Sequence, residues 1–246
     1  TGQWDYIEPC LFGFAVGKVI ESFSDFHINK HMRCIAHFHE WMTASGILYL
    51  KNRRPFIASV FTTHATVMGR CIAGNAQALY SSIRTVDADA KAREFNVVAK
   101  HSLEKTGARE ADCFTTVSDL TATECEFFLH KKVDLVTPNG FEKDFVPAEG
   151  AFEAARNTGR AKLSEVASAV LGEAVNKDAL FVGIGGRYEF KNKGIDVFID
   201  ALGALQEQNT LDREIVAFIL IPGGHVGPRE SVLNNMARPD GMIRQD

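Results

Sequence analysis

Apolar and polar positions along the chain change period several times. From Ile7 to Phe23 apolar residues recur at helical spacing, with Lys18 and Glu21 on the polar side, and this predicts a helix. A short apolar run over Cys34–Phe38 predicts a strand, and Glu40–Lys51 returns to helical spacing. After Pro55, a run rich in Ile, Val and Phe over Phe56–Thr62 predicts a second strand. Thr66–Ala73 suits a helix, and Asp89–Ala108 a longer, charged amphipathic one. Phe114–Val117 and Leu135–Thr137 predict two more strands, separated by a helix around Thr121–Lys131. Strands that alternate with helices imply a mainly parallel sheet covered on both faces, so the expected fold class is α/β.

The texture changes after Pro138-Asn139-Gly140. Residues 141–178 are rich in Ala, Glu, Lys and Arg without a clear strand, and read as a linker followed by a helical segment. Leu180–Ile184 is then a continuous apolar strand, Ile195–Gln206 an amphipathic helix and Ile215–Ile221 another buried strand. This is the opening β-α-β of a second sheet. The expected organisation is a first domain over 1–141, a linker and helical segment over 142–178, and a second domain over 179–246. One crossover unit cannot bury both faces of its sheet, and the first helix leads in from an absent neighbour. Both domains therefore read as truncated. The chain opens on Thr1 without a methionine and stops at Asp246 soon after a glycine-rich turn, as an internal piece of something longer would. There are no internal repeats and no low-complexity tract.

Composition narrows the function classes. The 246 residues carry 27 Lys and Arg against 31 Asp and Glu, a formal net charge of −4, which argues against nucleic-acid binding through bulk charge. A hydrophobic content of 46% with 24% charged residues is that of a soluble globular protein. The longest apolar stretches, Cys10–Val16 and Ile215–Pro222, fall far short of the roughly 20 residues a membrane helix needs. No basic-then-apolar leader opens the chain, so no membrane partner is expected. Five cysteines without CxxC spacing read as reduced thiols in a cytoplasmic protein.

The most informative chemistry lies in F-V-G-I-G-G-R-Y-E-F-K-N-K-G, Phe181 to Gly194. A buried strand ends in glycines, and a basic segment leads into a helix, where ligands of open α/β sheets bind. Gly185 and Gly186 allow close approach of backbone or phosphate. Arg187 can fork onto phosphate oxygens and Lys193 supplies a point charge. Neither the P-loop nor the dinucleotide spacing is met, and the same residues also suit a tight turn with solvated cations. His64 and Arg70, in Phe61–Thr66 and Gly69-Arg70, sit at a second strand-to-helix junction. His64 there can meet a substrate hydroxyl or merely cap the helix, and Arg70 can be a surface cation. Pro138-Asn139-Gly140 is a generic turn. His27, His31, Cys34, His37 and His39 crowd thirteen residues, but their spacing is wrong for one zinc site, so no metal is expected. Neither paired glycosidase-type carboxylates nor a nucleophilic triad can be picked out by spacing.

Taken together, H-F-H-E-W (His37–Trp41), F-T-T-H-A-T-x-x-G-R (Phe61–Arg70), D-x-F-T-T-V-S (Asp112–Ser118), P-N-G (Pro138–Gly140) and G-R-Y-E-F-K-N-K-G (Gly186–Gly194) resemble glycogen synthases of the animal and fungal type. The blocks occur in the same order and cover the chain from about His37 to about Pro222. The resemblance implies two Rossmann-like domains in the glycosyltransferase B arrangement, with the active site in the cleft between them. It implies transfer of glucose from UDP-glucose to the non-reducing end of an α-1,4-glucan such as glycogen, with retention, no metal and no other cofactor. By position it gives Arg187 and Lys193 the diphosphate and leaving group, and His64 the glucose with support from Asn139. Arg70 takes the donor side, and Glu40 a place near the acceptor. It sets a pair of glutamates and a basic glucose 6-phosphate sensor beyond Asp246, and the donor-closing glycine loop is not recognisable here. This chain alone is thus expected to be inactive, with a homo-oligomer open for the full-length protein. Another retaining glycosyltransferase of the same fold, or a non-catalytic sugar-nucleotide-binding protein, are the competing readings.

Overall fold

The computed structural model describes residues 4–29, 31–208 and 212–244, which divide into two units at Gly140–Phe141. In the first unit β1 (Ile35–His39), β2 (Ala58–Thr63), β3 (Cys113–Thr116) and β4 (Leu135–Val136) pair in chain order, every pair parallel. Parallel neighbours require crossovers. These are α2 (Ala44–Arg53), then α3 (Val67–Gly74), α4 (Ala88–Glu94) and α5 (Val98–Glu110), then α6 (Asp119–Glu124). The long α1 (Trp4–His27) precedes β1 and packs on α2. They cross closely enough that a Cβ on Gly46 would stand 2.7 Å from the Gly13 carbonyl oxygen.

Strand alternation decides which side chains are buried. In β1 Ala36 and Phe38 point into the core, which leaves His37 and His39 together on the other face. Phe38, Ile47, Leu50, Phe61, Ala108 and Phe114 form the centre of the core. Phe61 and Phe114 are register partners across β2 and β3, and their rings stack with centroids 5.8 Å apart.

The α/β class and the parallel sheet agree with the sequence reading, while three helices differ in detail. The stretch expected as one helix over Asp89–Ala108 is two, broken where Asn96 takes the left-handed conformation at φ 55°. Asn reaches that region more readily than most side chains. The helix expected around Thr121–Lys131 starts earlier, at Asp119. Ser118 caps it by accepting from the Thr121 amide at 3.1 Å. It then widens into a π-helical turn over Cys125–Leu129 and stops at His130, φ 53°. Glu40 is not helical at all: a 3₁₀ turn over Trp41–Thr43 comes before α2.

The second unit holds a two-stranded parallel sheet, β5 (Leu180–Gly185) and β6 (Ile215–Leu220), joined through α8 (Ile195–Gln208). The helical part of 142–178 is α7 (Glu149–Leu171), which packs on α9 (Glu230–Ala237). Ala167, Val175, Ala179 and Val216 make a small core. The buried Asn235 side chain donates to the Ala169 carbonyl at 2.9 Å and so fastens α9 to α7. Among the described residues no helix is long and apolar enough to cross a membrane.

Candidate functional site

The first cluster lies at the carboxyl ends of β1 and β2. Register sets His39 opposite Thr62, and the next amide, that of Glu40, donates to the Thr62 carbonyl at 2.9 Å. Glu40 then leaves the strand with φ 65° and ψ 159°, a region that side chains other than glycine scarcely visit. In this conformation its Oε1 accepts from the His64 backbone amide at 3.0 Å. His39 Nδ1 and His64 Nε2 are also 3.0 Å apart. His37 packs tilted against His39 with ring centroids 4.1 Å apart, and its Nε2 pairs with the Thr62 hydroxyl at 2.7 Å. Burial, together with the imidazoles of His37 and His64, holds His39 below the usual histidine range. Three imidazoles and a carboxylate thus share one strand-end rim. Among the described residues no group of three or more His, Cys, Asp or Glu is arranged to hold a metal ion.

Behind this rim, the N-terminus of α3 is tied to the core. The cap is Thr66 rather than His64. Its hydroxyl accepts from the Gly69 amide at 2.9 Å and donates to Glu124 Oε2 at 2.7 Å. Tyr80 donates to the other Glu124 oxygen at 2.8 Å, and the Val67 amide donates to Glu104 Oε2 at 3.0 Å. Glu104 is completely buried and its Oε1 has no partner among the described residues. Burial pushes its carboxyl up to about 8 and the Tyr80 hydroxyl up to about 12. Glu104 is therefore largely protonated at neutral pH. Sequence reasoning passed over this network. The signal for it was Glu104 on the helix face that also carries His101, Leu103 and Ala108.

Of the other residues singled out in this unit, Arg70 is exposed in α3, just past the Thr66 cap. Asn139 is exposed beyond the end of β4. The structure brings Glu40 and His64 into contact, and neither Arg70 nor Asn139 hydrogen-bonds to that pair.

In the second unit β5 runs into Gly185, and a turn over residues 186–194 leads to α8. The turn is closed by backbone bonds from Lys193 to Glu189 and from Ile195 to Phe190, at 3.0 and 3.1 Å. Gly194 sits at φ 67°, where a side chain would strain the backbone. The Lys193 stem lies across Gly186, its Cγ 3.3 Å from where a Cβ would be. The Arg187 guanidinium pairs with Glu189 at 2.9 Å, and its side chain is 63% exposed. Lys193 is exposed too, so both cations face solvent. Beside them a hollow of about 610 Å³ is lined by Tyr188, Pro222, Gly223 and Gly224. Gly223-Gly224 repeats after β6 the pattern that follows β5, an apolar strand leading to paired glycines. Exposed forked and point cations beside an open hollow at strand carboxyl ends can receive a phosphorylated ligand.

Comparison with known proteins places these features in a family. Residues 5–229 match the family described as glycogen synthase. The chain is 33% identical over 229 residues to "Glycogen [starch] synthase" of Dictyostelium discoideum, covering 90% of this chain and 26% of that protein. It is 34% identical over 223 residues to "Glycogen [starch] synthase isoform 2" of Saccharomyces cerevisiae, covering 87% and 31%. Against the mouse "Glycogen [starch] synthase, liver" it is 32% identical over 218 residues, covering 86% and 31%. The chain spans about a quarter to a third of the length of these curated relatives. The match runs through the His64 rim and the Arg187–Lys193 turn alike, and the chain belongs to the glycogen synthase family.

Proposed function

We propose that this chain is part of a glycogen synthase, which transfers glucose from UDP-glucose to the non-reducing end of an α-1,4-glucan with retention of configuration. The observation that carries the reading is the family match through both strand-end clusters. Arg187 and Lys193 hold the diphosphate and meet the charge that builds on the UDP leaving group. This is the preorganised electrostatic stabilisation that dominates many transfer reactions. Glu189 keeps the Arg187 guanidinium at the turn in the absence of donor. An arriving diphosphate replaces an exposed ion pair, which is intrinsically weak, with a forked phosphate contact.

His64 contacts the glucose, Asn139 supports it, Arg70 serves the donor side and Glu40 the acceptor side. The cations neutralise the leaving group directly, so the reading includes no metal and no other cofactor. The test is glucosyl incorporation from UDP-glucose into glycogen by the full-length protein. Incorporation is the expected result. A folded, UDP-binding protein that transfers nothing would point to a different glycosyltransferase or to a non-catalytic binder.

A further inference from the structure

His39 has no role in the reading above, yet it makes the contact that fixes the His64 ring. The geometry points to His39 as a positioning residue, whose Nδ1 accepts from His64 Nε2–H and so selects the His64 nitrogen that meets the sugar. This rests on the reading of His64 as the glucose contact. With 3.0 Å between Nδ1 and Nε2, one proton lies between the two rings, and one ring must offer a lone pair. Several contacts hold the His39 ring in place for that pairing. Its backbone is in register with Thr62, and its carbonyl accepts from the Thr43 hydroxyl at 2.8 Å. Its ring lies between His37, at 4.1 Å, and His64, at 5.3 Å. His37 cannot move aside freely, because Thr62 holds it at 2.7 Å and Thr115 holds Thr62 at 2.6 Å.

A ring kept neutral beside two other imidazoles has one lone pair to offer, and it is taken to sit on Nδ1, toward His64. His64 is then fixed twice by consecutive residues, its amide by Glu40 and its ring by His39. With Nε2 engaged, Nδ1 is the ring nitrogen left to accept from a sugar hydroxyl.

The experiment compares His39→Phe, His39→Asn and His39→Gln in the full-length protein. It combines imidazole ¹⁵N spectra, assigned to His64 by signal loss in His64→Gln, with UDP-glucose kinetics. Asn places an oxygen near the position of Nδ1, whereas Gln places it near Nε2. The wild type and His39→Asn should show His64 as the Nε2–H tautomer. His39→Phe and His39→Gln should show a tautomer mixture, with kcat/KM lower by about 100-fold, as a displaced contact costs. An unchanged tautomer and rate in His39→Phe overturns the inference. So does equal behaviour of the Asn and Gln variants, a comparison that decides the matter even if the Phe variant does not fold. A wild type that transfers no glucose defeats the functional reading instead, and the tautomer spectra still decide the role of His39.

Discussion

The Glu40 carboxylate and the His64 amide meet at 3.0 Å across the carboxyl ends of two neighbouring strands. The bond accounts for a glutamate at φ 65°, ψ 159°. A strain of about 1–3 kcal/mol is set against a hydrogen bond to a charged group worth about 1.5–3 kcal/mol. Glu40→Ala keeps the strain and loses the bond, whereas Glu40→Gly loses both. The alanine variant should therefore unfold more readily than the glycine variant, by about 1 kcal/mol or more. Calorimetry of the two checks this, and equal stabilities would mean that position 40 is not strained.

Gly69→Ala should be far more damaging than its size suggests. The new Cβ would lie 2.2 Å from Glu124 Oε2 and 2.8 Å from Thr66 Oγ1. The carboxylate cannot swing away without breaking its bonds to Thr66 and Tyr80 in a buried setting. Displacing a buried, paired carboxylate places the expected loss at about 2–4 kcal/mol by denaturant titration. Adding Glu124→Ala to Gly69→Ala should recover part of that loss, a non-additivity expected of residues in contact. Strict additivity would show that the clash is relieved elsewhere.

Glu104 makes stability depend on pH in a direction opposite to that of an ordinary paired carboxylate. Its folded value is raised from 4.5 to about 8, chiefly by burial. The native state therefore keeps a proton that the unfolded chain has released. Its contribution is fully present below the unfolded value and is lost as pH rises through the folded one. The slope is about −1.4 kcal/mol per pH unit inside that window. Glu104→Gln preserves the acceptor for the Val67 amide and removes the titration. It should flatten the fall in stability between roughly pH 5 and 8, measured by urea unfolding across that range. Parallel pH profiles for the wild type and Glu104→Gln would disprove the buried titration.

The features legible in the sequence were those that repeat along the chain. Apolar runs and helical spacing placed the four strands of the first sheet, and the strand–glycine–cation pattern marked the Arg187–Lys193 turn. The missed features depend on single residues meeting across the fold. The left-handed turn at Asn96 interrupts an unbroken amphipathic pattern that gives no warning of it. The Thr66–Glu124–Tyr80 network joins three segments that nothing links in the chain before they pack. His37 and His39 suggest metal ligands by their number alone. Their role follows from strand parity and from the register that brings His39 to His64, and neither is visible without the partner strand.

Arg187 and Glu189 offer a way to separate binding from turnover in the full-length protein. Arg187→Ala removes the forked cation. If that group meets charge developing on the leaving UDP, turnover should fall by about 100- to 1,000-fold, as the loss of a transition-state donor does. Glu189→Gln leaves the cation in place and removes its competitor. Because the Arg187 side chain is 63% exposed, the pair is worth at most about 1 kcal/mol, and UDP should bind up to about fivefold more tightly. Calorimetric titration with UDP and initial rates with UDP-glucose measure the two effects separately. A folded Arg187→Ala variant with a near-normal rate would remove Arg187 from the leaving-group role. Weaker UDP binding in Glu189→Gln would show that the carboxylate orients the guanidinium for the diphosphate rather than competing with it.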